Sequence, residues 1–184
     1  MNTDSHSYFT HYFEELNEHI NNVNFYELQE TAEKILEISK NEGMVHIVGN
    51  GGSAAIASHL SVDFTKTAGI RAQSFNESSL ITCFANDYGY EKWAEKALDF
   101  YARENDLLIA ISSSGASQNI LNCCKKAIKN KIFIVTFSGF SEDNPLAKLG
   151  NINFYVNSNK YNMVENTHQA WALSIVDFIT RGNN

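Results

Sequence analysis

The chain has 184 residues, 43% hydrophobic and 12% aromatic, which is enough for a substantial core and excludes a disordered tail. Fourteen Lys and Arg stand against 21 Asp and Glu, a net charge of −7, so broad non-specific binding to nucleic acid or to an anionic membrane is disfavoured. A single proline, Pro145, excludes collagen-like and proline-rich architectures. The length predicts one domain over 1–184, with 1–41 as a helical hairpin in front of it. Three cysteines at 83, 123 and 124 form no CxxC and make a poor disulfide framework, so a reducing cytoplasm is expected. The start of the chain is acidic and amphipathic and does not read as a signal peptide. No apolar run approaches the ~18 residues of a membrane span.

In chain order, residues 5–21 place Tyr8, Phe9, Tyr12, Phe13, Leu16 and Ile20 at helical spacing, and 25–40 repeat the pattern with Leu28, Ala32, Ile35 and Leu36. The aromatic stripe of the first helix predicts a packing face against the same chain or a partner subunit. The pattern then changes. An apolar strand at 44–50 runs into a Gly-rich turn, and a small-residue helix at 52–66 leads to a weak strand at 72–76. Helices follow at 78–85 and 91–104, then an apolar strand at 106–112 and a helix at 117–130. A strand at 131–139, a short helix after Pro145, a strand at 151–157 and a helix at 162–180 complete the chain. Strands that are apolar throughout and alternate with helices predict a parallel sheet covered on both faces.

Two strands end in turns of unusual chemistry, Gly49-Asn50-Gly51-Gly52-Ser53 and Ser112-Ser113-Ser114-Gly115-Ala116-Ser117. Ligands of open α/β sheets bind outside the carboxyl ends of the strands, and a helix start offers unpaired N–H groups to an anion. Serine hydroxyls add neutral donors, so an acidic chain can still hold a phosphate. The plainer reading is that both turns only connect and cap, with Ser117 as the cap of the helix it opens. Neither turn matches GxGxxG or GxxxxGK[ST], which disfavours a dinucleotide or P-loop site. Elsewhere, His46 reads as a satisfied core histidine, and His6, His11 and His19 as surface residues without an acid partner. Cys123-Cys124 reads as one core thiol and one exposed. Trp171 reads as core or interface, and Lys125, Lys126, Lys129 and Lys131 as a solvated face.

The strings VGNGGSAAIASHLSVDF, FANDYGYE, LLIAISSSGASQNIL and VENTHQ, in this order and spacing, resemble the sugar isomerase (SIS) domain family, and within it the phosphoheptose isomerase branch. The resemblance covers nearly the whole chain. It implies a flavodoxin-like parallel five-stranded sheet with helices on both faces, and a homotetramer with active sites at subunit interfaces. By position it implies phosphosugar contacts from Asn50, Gly51, Gly52, Ser53, Asn86, Asp87, Ser112, Ser113, Ser114 and Ser117. The serine turn would hold the phosphate, and Asn50 with Asn86-Asp87 would meet the sugar hydroxyls or the carbonyl end.

Ketose–aldose isomerisation moves a proton between C1 and C2 through an enediol, and needs a base together with an acid or metal for the developing oxyanion. The family pattern supplies a His and a Glu four residues apart after GNGGS, a Gln or Glu on the last helix, and a His eight residues beyond it. Together these hold zinc and move protons. Here the positions read His59, Asp63, Glu165 and Leu173, so the last donor is lost. The resemblance thus implies Asp63 or Glu165 as the base and His59, Asp63 and Glu165 as zinc ligands, three ligands plus water being a workable catalytic set. A metal-free site, with His59 hydrogen-bonded and Asp63 solvated, stands equally open. His168 is present in the family beside the ligand and is no obvious replacement for it. Isomerisation of sedoheptulose 7-phosphate for surface-polysaccharide heptose is the leading expectation. The rival is a catalytically altered phosphosugar sensor or protein-binding tetramer, which the Leu173 departure favours.

Overall fold

A computed structural model of the chain describes residues 4–181. Helices α1 (Ser5–Asn21) and α2 (Phe25–Lys40) precede β1 (Val45–Val48), α3 (Gly52–Lys66) and β2 (Ala72–Ser74). They are followed by α4 (Ser78–Tyr88), α5 (Trp93–Tyr101), β3 (Leu107–Ser112), α6 (Gln118–Lys129) and β4 (Phe133–Gly139). A 3-10 turn at Leu146–Lys148, β5 (Ile152–Val156) and α7 (Tyr161–Thr180) close the order. The starts of the helices are written in the sequence. Asp4 accepts from the His6 N–H, Asn24 from the Tyr26 N–H, and Glu77 from the N–H groups of Ser79 and Leu80. The Ser79 hydroxyl, which also donates to this carboxyl, and then those backbone N–H bonds stabilise its ionised form and draw the Glu77 pKa down to about 2.

All five strands are parallel, in the order β2-β1-β3-β4-β5. Central β3 is buried on both faces and its side chains alternate between two cores. Leu107, Ile109 and Ile111 join Val45, Ile47, Phe137 and Phe154 under α2, α3 and α7. Leu108 and Ala110 join Val48, Trp93, Leu98, Ile120 and Cys124 under α5 and α6. Edge strand β5 buries only alternate residues, Ile152, Phe154 and Val156, as period-two geometry requires of a strand covered on one face. Trp171 is a core residue whose indole N–H donates to the Ile20 carbonyl at 2.8 Å, fastening α7 to α1. Among the described residues no helix is long and apolar enough to cross a membrane.

The hairpin lies where the aromatic pattern puts it, but its first helix does not finish the core of its own chain. No residue of α1 is fully buried, and Phe9 and Phe13 are 56% and 62% exposed. Cys123 and Cys124 are both buried, correcting the expectation of one exposed thiol, and burial pushes the Cys124 thiol up to about 12. Lys126 is not simply solvated, since it pairs with Asp99 of α5 at 2.7 Å. His46 is fully buried and satisfied. Its Nε2–H donates to Asp106 at 2.9 Å, and its Nδ1 accepts from Gln73 at 3.1 Å. His19 does have an acid neighbour, Glu15, one helical turn away at 4.0 Å.

Candidate active site

The strand order reverses between β1 and β3. From β1 the chain leaves to α3 on one face of the sheet, and from β3 to α6 on the other. The two connections diverge and leave a crevice at the carboxyl ends of the strands, the position at which open α/β sheets bind ligands. A cavity of about 220 Å³ fills it, lined by Asn50, Gly51, Gly52, Ser53, Ser112, Ser113, Ser114, Ser117, Tyr161 and Glu165. The two Gly/Ser turns of the sequence thus face each other across one small space, with a carboxylate between them.

Glu165 reaches the cavity from α7. Its carboxylate lies so close to Gly52 that a Cβ there would collide with it, so the glycine at the start of α3 leaves the room the carboxylate occupies. Ser113 Oγ donates to Glu165 Oε1 at 3.4 Å, tying the carboxylate to the serine turn. Within that turn Ser112 Oγ donates to Ser117 Oγ at 3.3 Å. Ser117 precedes α6 as expected, but its side chain makes no capping bond and stays on the cavity side. Asn50 is tied to the first turn of α6. Its Nδ2 donates to Asn119 Oδ1 at 3.0 Å, Asn119 Nδ2 returns the bond at 2.9 Å, and the Tyr90 hydroxyl adds a third at 3.2 Å. The Asn50 amide therefore locks the glycine turn to the helix behind the serine turn, and only its second N–H is left for a ligand.

Other expected residues are not brought to this cavity. Asn86 and Asp87 sit on the last turn of α4, a helix with no buried residue, and bond to each other at 2.9 Å. The helix continues to Tyr88, past the expected end, and carries the pair outward. His59 and Asp63 lie two and three turns along α3, roughly 10 and 16 Å from Gly52 at 1.5 Å per residue. They pair with each other at 3.2 Å on a half-exposed face, where Gln169 Nε2 donates to His59 Nδ1 at 3.3 Å. Leu173, where the resemblance has a histidine, packs against the core. Among the described residues no group of three or more His, Cys, Asp and Glu is gathered closely enough to hold a metal. The expected set of His59, Asp63 and Glu165 is therefore not assembled within one chain, because the first two follow α3 away from the cavity while Glu165 turns back to the start of that helix. The donor set of one chain does not fit a zinc ion.

The sequence reading missed three features of the site. Tyr161 lines the cavity from the start of α7, its ring edge-on to Phe140 at 4.8 Å. An exposed tyrosine one turn before the conspicuous Glu165 was its only signal. Asn119 and Tyr90 have none, because their partner Asn50 is 69 and 40 residues away in the chain. His168 is fully buried one turn beyond Glu165, and its Nε2–H donates to the Ser138 carbonyl at 2.9 Å. Its Nδ1 has no partner, and burial lowers its pKa to about 4, so the ring is neutral.

A family model described as SIS domain matches residues 8–139. The chain belongs to the SIS domain family. It is 38% identical over 106 residues to a phosphoheptose isomerase of Helicobacter pylori, covering 54% of this chain and 55% of that one. A phosphoheptose isomerase of Campylobacter concisus is 34% identical over 128 residues, covering 66% and 67%. The chain spans about half the length of the H. pylori relatives it matches. Among solved structures, a phosphoheptose isomerase of Neisseria gonorrhoeae superposes with a TM-score of 0.87 over 96% of this chain and 99% of that one, at 23% identity, a likeness of fold.

Proposed function

We propose that the chain is a phosphosugar ketose–aldose isomerase, acting on sedoheptulose 7-phosphate to give a D-glycero-heptose 7-phosphate for heptose-containing surface polysaccharide. One observation carries the reading: a single cavity joins two neutral phosphate-type turns to one carboxylate. The relatives named phosphoheptose isomerase support the substrate class. The phosphate is held by the hydroxyls of Ser112, Ser114 and Ser117 and by N–H groups at the start of α6. None of these carries a formal charge, so the net charge of −7 does not oppose an anionic substrate.

With the phosphate fixed, the carbonyl end of the sugar lies toward the glycine turn and Glu165. Glu165 takes the C1 proton of the ketose, the C–H electron pair becomes the C1=C2 bond, and the C2 oxygen takes up a proton to give the enediol. The proton on Glu165 then goes to C2 as the O1 hydroxyl gives up its proton and becomes the aldehyde oxygen. Ser113 orients the carboxylate by donating to Oε1. Tyr161 and Asn50 supply neutral donors beside the sugar oxygens, the class of group that stabilises a developing oxyanion. The active form is a homotetramer in the cytoplasm. The exposed aromatic face of α1 and α4, a helix with no fully buried residue, support the assembly, and three free thiols suit a reducing compartment. Asn86 and Asp87 take their expected substrate role only if another subunit presents them.

The test is incubation of the purified protein with sedoheptulose 7-phosphate, followed by NMR of the aldehydic product and read beside the solution mass. Turnover by a species of four chain masses supports the reading. Tight binding of the phosphosugar without turnover would shift it to a sensor, the outcome that Leu173 favours.

A further inference from the structure

The serine turn is held in shape from behind. Gly115 at its tip has φ 61, a backbone conformation that side-chain-bearing residues rarely adopt. Its N–H donates to the Ser112 carbonyl at 2.9 Å, and its own carbonyl accepts from the Leu146 N–H at 3.0 Å. The face of Gly115 where a Cβ would stand is filled by the side-chain amide of Asn144, which such a Cβ would strike.

Asn144 follows β4 and is only 4% exposed. Its Nδ2 donates to the Ser141 carbonyl at 2.7 Å and to Ser138 Oγ at 3.1 Å, and its Oδ1 accepts from the Ala147 N–H at 2.9 Å. Both amide hydrogens and one oxygen lone pair are thus engaged, and an uncharged group carrying donors and an acceptor on one short arm is an asparagine. Ser138 also lends its carbonyl to His168 on α7, the helix that carries Glu165. Pro145 and the 3-10 turn beginning at Leu146 then bring the Leu146 N–H to the same tip. The amide of Asn144 is a rigid block between the end of β4 and the tip of the serine turn, and it touches no part of the cavity lining except through Gly115.

We propose that Asn144 is a positioning residue that keeps the Ser112–Ser117 turn in its phosphate-holding shape by filling the space against Gly115. The inference rests on the reading of that turn as the phosphate seat and adds a residue that no cavity wall or motif marks. A phosphate held alike in ground and transition states contributes uniform binding, so loosening its seat raises KM and leaves kcat nearly unchanged.

The experiment compares the full-length wild type, Asn144→Ala, Gly115→Ala and the double variant. It measures isomerisation kinetics, calorimetric affinity for inorganic phosphate, and thermal melting. Asn144→Ala is expected to raise KM and weaken phosphate binding about tenfold, with kcat within about twofold and a cooperative melt retained. Gly115→Ala should do at least the same, because its methyl displaces the amide and the positive φ strains any side chain. The double variant should lose less than the sum of the two, since removing the amide takes away the two closest contacts and leaves the Asn144 Cβ at 2.8 Å and the strain at φ 61. Should Asn144→Ala fail to fold, Asn144→Ser carries the same comparison, emptying the space against Gly115 while its hydroxyl keeps a hydrogen-bonding group at the site. A folded Asn144 variant with wild-type KM and phosphate affinity overturns the inference and leaves the proposed function standing, as does strict additivity in the double variant. A wild type that binds neither phosphate nor phosphosugar overturns both.

Discussion

His168 is buried without charge in a chain whose surface is acidic, and that has a consequence in pH. Its folded pKa is about 4, below the ordinary value of 6.5, and the cause is burial. Between those values the unfolded chain binds a proton that the folded chain refuses. The stability contributed by the neutral ring is therefore full above about pH 6.5 and is lost as pH falls toward 4. The slope approaches about 1.4 kcal/mol per pH unit for this one proton. His46, also lowered by burial, adds in the same direction. Urea unfolding of His168→Gln at pH 7 and pH 5 should show a smaller loss between the two than the wild type. An identical loss would mean that His168 titrates alike in the folded and the unfolded chain. Glu165, one turn back along the same helix, is held by contact, with Ser113 on one flank and Gly52 on the other.

At the scale of elements, the site is made by the approach of α7 to the first turn of α3, and that approach depends on Gly52. Gly52→Ala sets a methyl group against the Glu165 carboxylate and must move one of them. Turnover should fall about 10²-fold or more, as positioning errors at a catalytic group do, while phosphate binding on the serine turn across the cavity stays within about threefold. Parallel losses in both would mean that the variant disturbs the sheet rather than the carboxylate. The elements themselves were almost fully legible. Apolar runs such as Leu107–Ile111 can only be strands covered on both faces, and the period of Ala32, Ile35 and Ile38 only a helix packed on one. The two turns were legible because Gly and Ser cluster nowhere else so densely at strand ends. Distances across the fold were not. Whether Asn86-Asp87 faces the cavity depends on one extra turn of α4, and whether His59 and Asp63 meet Glu165 depends on the direction of α3. Asn144 was illegible for the same reason, since the residue it touches lies 29 positions back in the chain and signals nothing but a glycine.

At the scale of the molecule, the cavity is small. It offers two Gly/Ser turns, a carboxylate and two neutral donors. Around it lie surfaces that one chain leaves uncovered: the aromatic stripe of α1, with Phe9 and Phe13, and the outer face of α4 with Phe100 of α5 beside it. Exposed apolar surface of this kind marks an interaction site, and the homotetramer proposed above would bury it. The central claim concerns the cavity alone, that Glu165 is the base of a phosphosugar isomerisation. The most direct measurement is NMR of sedoheptulose 7-phosphate in D₂O with the wild type and with Glu165→Gln. The wild type should form the aldoheptose phosphate and wash deuterium into the substrate through the enediol. Glu165→Gln should bind the phosphosugar with unchanged affinity while turnover and exchange fall by about 10²- to 10⁴-fold together. Turnover and exchange that survive the loss of this carboxylate would contradict the account.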